Sequence, residues 1–237
     1  MNKENTLVIS PTYNESGNIA KFIDQVISTG CDLLIIDDKS PDKTAEKIKA
    51  SKYFGKKLYL IERKGKLGYG TACIDGFNWG IKKEYAYIIQ MDADFSHRIE
   101  DLKNIRSEFT NYRNEIDVCI GSRYVKGGGS SGWGLHRKIL SKYANKFAKF
   151  VTKSNINDMT TGFRLYTRES LKKIPFEESK YNGYSFLVDL LHKCVKADLR
   201  IKEIPILFVE REVGKSKMNL KIILEGVKTL FKLYFYK

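Results

Sequence analysis

Asp92-Ala93-Asp94 places two carboxylates one residue apart, directly after the apolar run Tyr85-Ala86-Tyr87-Ile88-Ile89-Gln90-Met91. That run is aromatic and β-branched, which reads as a buried strand. Two carboxylates at its end are costly to desolvate unless a positive charge sits with them. The carboxyl end of a strand in an open α/β sheet is also where ligands bind. A divalent cation, Mg²⁺ or Mn²⁺, held by few protein oxygens and completed by a diphosphate, meets both conditions. Asp-x-Asp spacing alone more often marks a helix N-cap and a turn carboxylate, so the surrounding elements must decide.

Those elements alternate. Leu7-Val8-Ile9-Ser10 is a short buried strand running into the polar turn Pro11-Thr12-Tyr13-Asn14-Glu15. Ile19, Phe22, Ile23, Val26 and Ile27 then recur at helical spacing. Leu33-Leu34-Ile35-Ile36 is a second strand, closed by Asp37-Asp38, and Ser40-Pro41-Asp42-Lys43-Thr44 starts another helix. Leu58-Tyr59-Leu60-Ile61 is a third strand. Gly65-Lys66-Leu67-Gly68-Tyr69-Gly70-Thr71-Ala72 opens the next helix; its glycines suit either a backbone approach to phosphate or a turn with close helix packing. It is not the Lys-Ser/Thr phosphate loop. After the Tyr85–Met91 strand, a helix carrying Leu102, Ile105 and Phe109 leads to Val118-Cys119-Ile120-Gly121-Ser122. The pattern predicts an α/β fold, a mostly parallel sheet with helices on both faces. Loops after parallel strands share one edge, so Glu15, Asp37, Asp38, Asp92 and Asp94 can converge there. Carboxylates for base and ribose, with a metal for a diphosphate, suit a nucleotide.

With 237 residues, 42% of them hydrophobic, the chain can bury a sizeable core as one domain with or without an appendage. Cys31, Cys73, Cys119 and Cys194 are scattered, which fits free thiols in a reducing compartment. His97, His136 and His192 lack zinc spacing, and no apolar run reaches the roughly 20 residues of a membrane span. The net charge of +14 is uneven. Residues 1–120 hold 18 Lys/Arg and 18 Asp/Glu, whereas residues 121–237 hold 24 and 10. A basic second half suggests an anionic partner: nucleic acid, an anionic membrane face or a phosphorylated substrate.

In that half, Gly127-Gly128-Gly129-Ser130-Ser131-Gly132 reads as a lid or acceptor loop that orders on binding, or as an inert linker, with Trp133 beside it as a contact residue. Leu135 to Val151 reads as a basic helix with Arg137, Lys138, Lys142, Lys146 and Lys149. Leu187, Leu190 and Leu191 are core positions of a later helix, and His192 on it reads as structural. Ile204-Pro205-Ile206-Leu207-Phe208-Val209 reads as an apolar strand with proline at an edge position. Arg211, Lys215 and Lys217 follow on a loop with Gly214, suited to clamp a diphosphate. From Asn219 to Lys237, an apolar stripe at helical spacing predicts an amphipathic helix. It either packs on the core or lies in a membrane interface.

Pro11-Thr12-Tyr13-Asn14-Glu15, Asp37-Asp38-Lys39-Ser40-Pro41-Asp42-Lys43-Thr44, Leu67-Gly68-Tyr69-Gly70-Thr71-Ala72 and Met91-Asp92-Ala93-Asp94-Phe95-Ser96-His97 follow one another in order. Gly121-Ser122-Arg123-Tyr124, Arg137-Lys138-Ile139-Leu140-Ser141, Thr161-Gly162-Phe163-Arg164, Gly183-Tyr184-Ser185-Phe186, Ile204-Pro205 and Gly214-Lys215-Ser216-Lys217-Met218 continue the series. The set resembles the family-2 glycosyltransferases of GT-A fold, and within them the dolichyl-phosphate mannose synthase group, over about residues 5–218. The resemblance implies a catalytic domain over 1–218, with a nucleotide-binding half to 122 and an acceptor half from 123, followed by the 219–237 helix. It implies that Pro11, Tyr13, Glu15, Asp38 and the Asp92-Ala93-Asp94 segment contact the nucleotide sugar. Asp92, Asp94 and Ser96 would surround Mg²⁺ or Mn²⁺. Arg123, Arg211 and Lys217 would meet phosphates, and Arg123, Arg137 and Ser141 the lipid phosphate. Asp92, Asp94, Arg211 and Lys217 would carry catalysis. Three positions depart from the group's pattern. Ser96 stands where relatives often have Gln, Ile99 where proline is common, and Asp189 where Glu is usual.

The implied reaction is inverting transfer of a hexose onto a polyprenyl (dolichyl) monophosphate, foremost mannose from GDP-mannose. A UDP-glucose enzyme on the same lipid class is the near alternative. A nucleic-acid-binding protein is a distant one, since no recognition module is present. Such an enzyme would act at a membrane surface as a peripheral protein of the cytoplasmic face, alone or with a small membrane subunit.

Overall fold

Uninterrupted apolar runs form the buried strands of one sheet, and apolar residues at helical spacing cover both of its faces. The computed structural model describes residues 5–112 and 115–210. In chain order these run β1 (Thr6–Thr12), α1 (Ile19–Ser28), β2 (Asp32–Asp37), α2 (Thr44–Lys49), β3 (Leu58–Glu62) and α3 (Tyr69–Lys82). Then come β4 (Tyr87–Gln90), α4 (Ile99–Asn111), β5 (Val118–Ser122), β6 (Gly129–Ser131), α5 (Leu135–Thr152), β7 (Arg164–Thr167) and α6 (Arg168–Lys172). A short 3₁₀ turn precedes α7 (Gly183–Lys196), β8 (Ile201–Pro205) and β9 (Leu207–Val209).

Seven strands pair in the order β3-β2-β1-β4-β7-β5-β8. β1 to β4 are mutually parallel, so their carboxyl ends share one edge. β7 is antiparallel to both neighbours and separates β4 from β5. The sequence does not announce this strand, because Arg164–Thr167 is short and polar at both ends. Alternating residues feed two cores. Leu7, Ile9, Leu34 and Ile36 face α3 residues Ala72, Cys73 and Phe77. Val8, Leu33 and Ile35 face α1 and α4 through Phe22, Ile23, Leu102 and Ile105. Each large apolar side chain so buried contributes about 1.5–3 kcal/mol.

Two readings of the second half change. Ile204–Val209 is not one strand: β8 ends at Pro205 on the sheet edge, and β9 leaves to pair with β6 in a separate two-stranded parallel sheet. The glycine-rich segment is not an inert linker, since its central residues Gly129–Ser131 are β6. A Cβ on Gly128 would lie 2.5 Å from the Ser122 carbonyl oxygen, so the chain needs glycine there to fold back on β5. All four cysteines are buried free thiols. Burial pushes Cys119 and Cys194 up to about 12, which makes them inert.

Candidate active site

β4 delivers Asp92 and Asp94 to the shared edge, and both are fixed from several directions. Asp94 is buried; its Oδ1 accepts from the Ser96 amide at 3.1 Å and the Ser96 hydroxyl at 2.6 Å. Asp92 is partly exposed, and its Oδ1 accepts from the Tyr69 hydroxyl at 3.2 Å. That hydroxyl in turn accepts from Gln90 Nε2 at 3.0 Å. Burial, and next the charge of Asp92, push the Tyr69 phenol well above its ordinary range, so it stays a donor. The Asp92 amide donates to His97 Nδ1 at 3.3 Å. An accepting Nδ1 puts the imidazole proton on Nε2, and burial lowers the His97 pKa, so the ring is neutral. The Val209 amide donates to the Ser96 carbonyl at 3.0 Å and ties this loop to β9.

β7 completes the wall. A Cβ on Gly162 would lie 2.7 Å from the Tyr69 hydroxyl and 3.7 Å from both Asp92 carboxylate oxygens. Glycine therefore leaves an open recess against that carboxylate. Arg164 is wholly buried, donating to the carbonyls of Leu187 at 2.8 Å and Met159 at 3.0 Å. Burial, and next the charge of Asp92, raise the Tyr69 and Cys73 pKa values well above their ordinary range, and the Arg164 charge offsets only part of that. The donor set, two carboxylates beside a recess, fits a hard cation such as Mg²⁺ or Mn²⁺. No group of three His, Cys, Asp or Glu suited to a metal exists among the described residues. Ser96 donates its hydroxyl to Asp94 and so steadies that carboxylate.

Along the edge, Pro11 closes β1 beyond the end of β4 pairing, where no donor is required. The Glu15 carbonyl accepts from Asn18 and Ile19, capping α1, and its carboxylate accepts from Asn18 Nδ2 at 2.9 Å. Tyr13 lies under the Lys66 ammonium, 3.9 Å from the ring centroid. Asp37 accepts from Thr12 and Ser40 and holds the turn after β2. Asp38 binds Arg63 through Oδ1 at 2.5 Å and the Gly68 amide through Oδ2 at 2.8 Å. The Gly70 amide donates to Asn182 at 3.2 Å. With both amides engaged, and Gly70 pressed against the Tyr181 carbonyl, these glycines serve a turn and close packing rather than phosphate binding.

Arg123 and the basic helix bound a cavity of about 610 Å³, which Tyr124, Ser130, Lys138, Lys142 and Lys146 also line. Arg123 is buried and forms a two-pronged pair with Asp158, both contacts at 2.7 Å, plus a bond to Thr160. Burial opposes its charge, but Asp158 outweighs that and holds the guanidinium protonated. Arg137 lies 4.1 Å from the Trp133 ring centroid and donates to Glu210 at 2.8 Å. Ser141 accepts from the Tyr124 hydroxyl at 2.7 Å. Asp189 is buried beside Lys193, 3.1 Å away as an ion pair outside hydrogen-bond geometry. Arg211, Lys217 and the 219–237 stripe lie outside the described residues. Tyr69, Arg63, Arg164 and Asp158 were not picked out as site residues from sequence. Tyr69 and Arg164 sit inside quoted motifs, but nothing local signals Asp158.

The family model "Glycosyl transferase family 2" matches residues 7–175. Polyprenol monophosphomannose synthase of Mycolicibacterium smegmatis is 36% identical over 229 residues, covering 94% of this chain and 84% of that protein. Undecaprenyl-phosphate mannosyltransferase of Micrococcus luteus is 34% identical over 223 residues, covering 93% of this chain and 90% of that protein. Among solved structures, glucosyl-3-phosphoglycerate synthase from Mycobacterium tuberculosis, in complex with Mn²⁺, UDP-glucose and phosphoglyceric acid, superposes with a TM-score of 0.70. That structure is 15% identical, covers 98% of this chain and 80% of its own, and is a likeness of fold. By its sequence match and its carboxylate-edged sheet, the chain belongs to glycosyl transferase family 2 and has the GT-A fold.

Proposed function

We propose that this chain transfers mannose from GDP-mannose to a polyprenyl monophosphate, with inversion at the sugar. The observation that carries this reading is the pair of relatives, both named for mannosyl transfer to a polyprenyl phosphate and both matched over nearly the whole chain. The domain reading, residues 1–218 as the catalytic unit, belongs to the same proposal.

Pro11, Tyr13, Glu15 and Asp38 line the edge that takes the nucleoside, with Asp38 acting through Arg63 and the Gly68 turn. Asp92 and Asp94, steadied by Tyr69 and Ser96, would hold Mg²⁺ or Mn²⁺. When bound, such a cation neutralises the donor diphosphate and makes it a better leaving group. Arg211 and Lys217 are assigned to the same phosphates by family resemblance. The acceptor phosphate is anionic at neutral pH, so it needs positioning more than a base. An acceptor oxygen forms a bond to the anomeric carbon while the bond to the donor diphosphate breaks. The electron pair leaves with the nucleoside diphosphate, and an α-linked donor gives a β-linked product. The lysine row of α5 draws the acceptor phosphate into the cavity, whose wall Arg123 sets; Arg137 and Ser141 are assigned to the same phosphate by family resemblance. The acceptor places the enzyme peripherally at a membrane face, by this reading the cytoplasmic one. No helix among the described residues is long and apolar enough to cross a membrane.

The test is transfer of radiolabelled sugar from GDP-mannose or UDP-glucose to polyprenyl phosphate in detergent. Label entering the lipid fraction from GDP-mannose alone, as a β-linked product by NMR, is expected. Transfer from UDP-glucose alone would shift the reading to a glucosyl enzyme, and transfer from neither would remove it.

A further inference from the structure

The loop between β4 and α4 turns back on itself, and His97 closes it. The Met91 amide makes the last bond from this stretch to β1, reaching the Ile9 carbonyl at 3.1 Å. The next amide, that of Asp92, donates to His97 Nδ1 at 3.3 Å. Between the two, Phe95 sits at φ 60°, in the left-handed region that a bulky residue rarely adopts. Such a conformation persists only where its surroundings over-determine it. Here the His97 bond and the Ser96 bonds to Asp94 hold the turn. The His97 ring is itself fixed. It is 2% exposed, stacks on Phe163 at 5.1 Å and 21°, and meets Phe208 edge-on at 5.4 Å and 81°. A backbone amide can only donate, so Nδ1 accepts and Nε2 carries the proton. Nε2 is buried with no hydrogen-bond partner among the described residues. A buried N–H left unpaired costs free energy. Phenylalanine would fill the same aromatic slot without that cost. What imidazole adds is a single acceptor, and the Asp92 amide takes it.

We infer that His97 is a positioning residue for the transfer reaction. Held between Phe163 and Phe208, it fixes the Asp92 main chain and with it the direction of the Asp92 carboxylate. Tyr69 steadies that carboxylate from its far end at 3.2 Å, so the two side chains act on opposite ends of one residue. His97 acts through Asp92, as groups behind a metal ligand commonly do. This role rests on the proposed reaction, in which Asp92 and Asp94 hold Mg²⁺ or Mn²⁺.

The test compares His97→Asn, His97→Leu and His97→Phe in the full chain. Asparagine and leucine have nearly the same shape, but only asparagine places an acceptor near the Nδ1 position. Phenylalanine keeps the aromatic packing and lacks the acceptor. Mn²⁺ affinity is measured by electron paramagnetic resonance with GDP, and separately UDP, present. Beside it, kcat and KM are measured for GDP-mannose and polyprenyl phosphate in detergent. His97→Leu and His97→Phe should weaken Mn²⁺ binding at least roughly tenfold and lower kcat to match. The KM for polyprenyl phosphate should not change. His97→Asn should recover most of the Mn²⁺ affinity, although its melting temperature falls with that of His97→Leu. Equal Mn²⁺ affinity in the Asn and Leu variants overturns the assignment, because both lose the ring alike. Native Mn²⁺ affinity and kcat in His97→Phe also overturn it and leave His97 a packing residue. If His97→Phe fails to fold, the Asn and Leu pair decides. A native chain that binds Mn²⁺ but transfers no sugar removes the proposed reaction and leaves the affinity comparison standing. One that binds no Mn²⁺ with either nucleotide overturns both.

Discussion

The carboxylate edge and helix α5 handle charge in opposite ways. At the edge, Asp37, Asp38 and Asp92 accept hydrogen bonds from Thr12, Gly68 and Tyr69 of other elements, and Asp94 accepts from Ser96 in its own loop, so every carboxylate has a set position before any ligand arrives. On α5 the charge is a row of long side chains, Lys138, Lys142 and Lys146 exposed and Lys149 half-buried on Asn155 and Asn157, with no acid on the same helix. The first arrangement is preorganised and suits a small hard cation and a diphosphate. The second is adaptable and suits a diffuse anionic surface or a mobile lipid headgroup. Fixed groups should therefore act on rate and on folding, and loose ones on partitioning and salt dependence.

The largest effect should come from the fixed side. Asp94→Ala should lower turnover roughly a thousandfold, the size expected when a group organising transition-state charge is lost. The fold should survive, by circular dichroism, because Asp94 lies in a loop after β4. Turnover within a few fold of native, or full native activity in EDTA, would break the comparison.

Arg123 tests whether fixed charge extends into the acceptor half. Its pair with Asp158 is buried on both sides, at 5% and 0% side-chain exposure. Arg123→Met should destabilise by about 3–5 kcal/mol by leaving Asp158 unpaired, measured by denaturant unfolding. Burial raises the Asp158 pKa, but Arg123 outweighs it and holds the group below its usual 3.8. A carboxylate depressed on folding stabilises above its unfolded value and loses that contribution as pH falls through the folded one. Acid unfolding below 3.8 should therefore be less steep for Asp158→Asn, which starts from lower stability at neutral pH. Unchanged stability in both variants would show that Arg123 is held loosely for ligand.

Tyr69→Phe sharpens the account of the edge. Removing the hydroxyl deletes one bond to Asp92, a loss of about 1 kcal/mol. Metal affinity, followed by Mn²⁺ titration with nucleotide present, should fall about fivefold, with melting temperature nearly unchanged. Loss of stability without any change in metal affinity would make Tyr69 a packing residue only.

The smallest effect should lie at the rim of α5. Glu210→Gln removes the partner of Arg137, and Glu210 is 46% exposed. Solvent screening should keep the change under about 1 kcal/mol in thermal unfolding. A larger loss would move Arg137 from the adaptable group to the fixed one.

The strands β1 to β4 were legible because each is an unbroken apolar run, and the helices because apolar residues recur at their spacing. Asp92 and Asp94 were legible because a strand that ends in acids is chemically conspicuous. The glycine-rich stretch at 127–132 was not, since composition favours flexibility while pairing with β9 decides the outcome. Ile204–Val209 read as one strand because apolarity does not reveal where a chain changes sheets.

The sequence by itself determined the α/β alternation, the strand-end carboxylates and the basic second half, all properties written in neighbouring residues. Tertiary structure alone decided that β7 enters antiparallel between β4 and β5, bringing Gly162 against Asp92. It alone decided that Arg123 is held by Asp158, 35 residues away, and that Gly70 meets Asn182, 112 residues away. It also separated the buried strip of α5 from its exposed apolar one. Periodicity gives the stripe of a helix, but only packing chooses which stripe is covered.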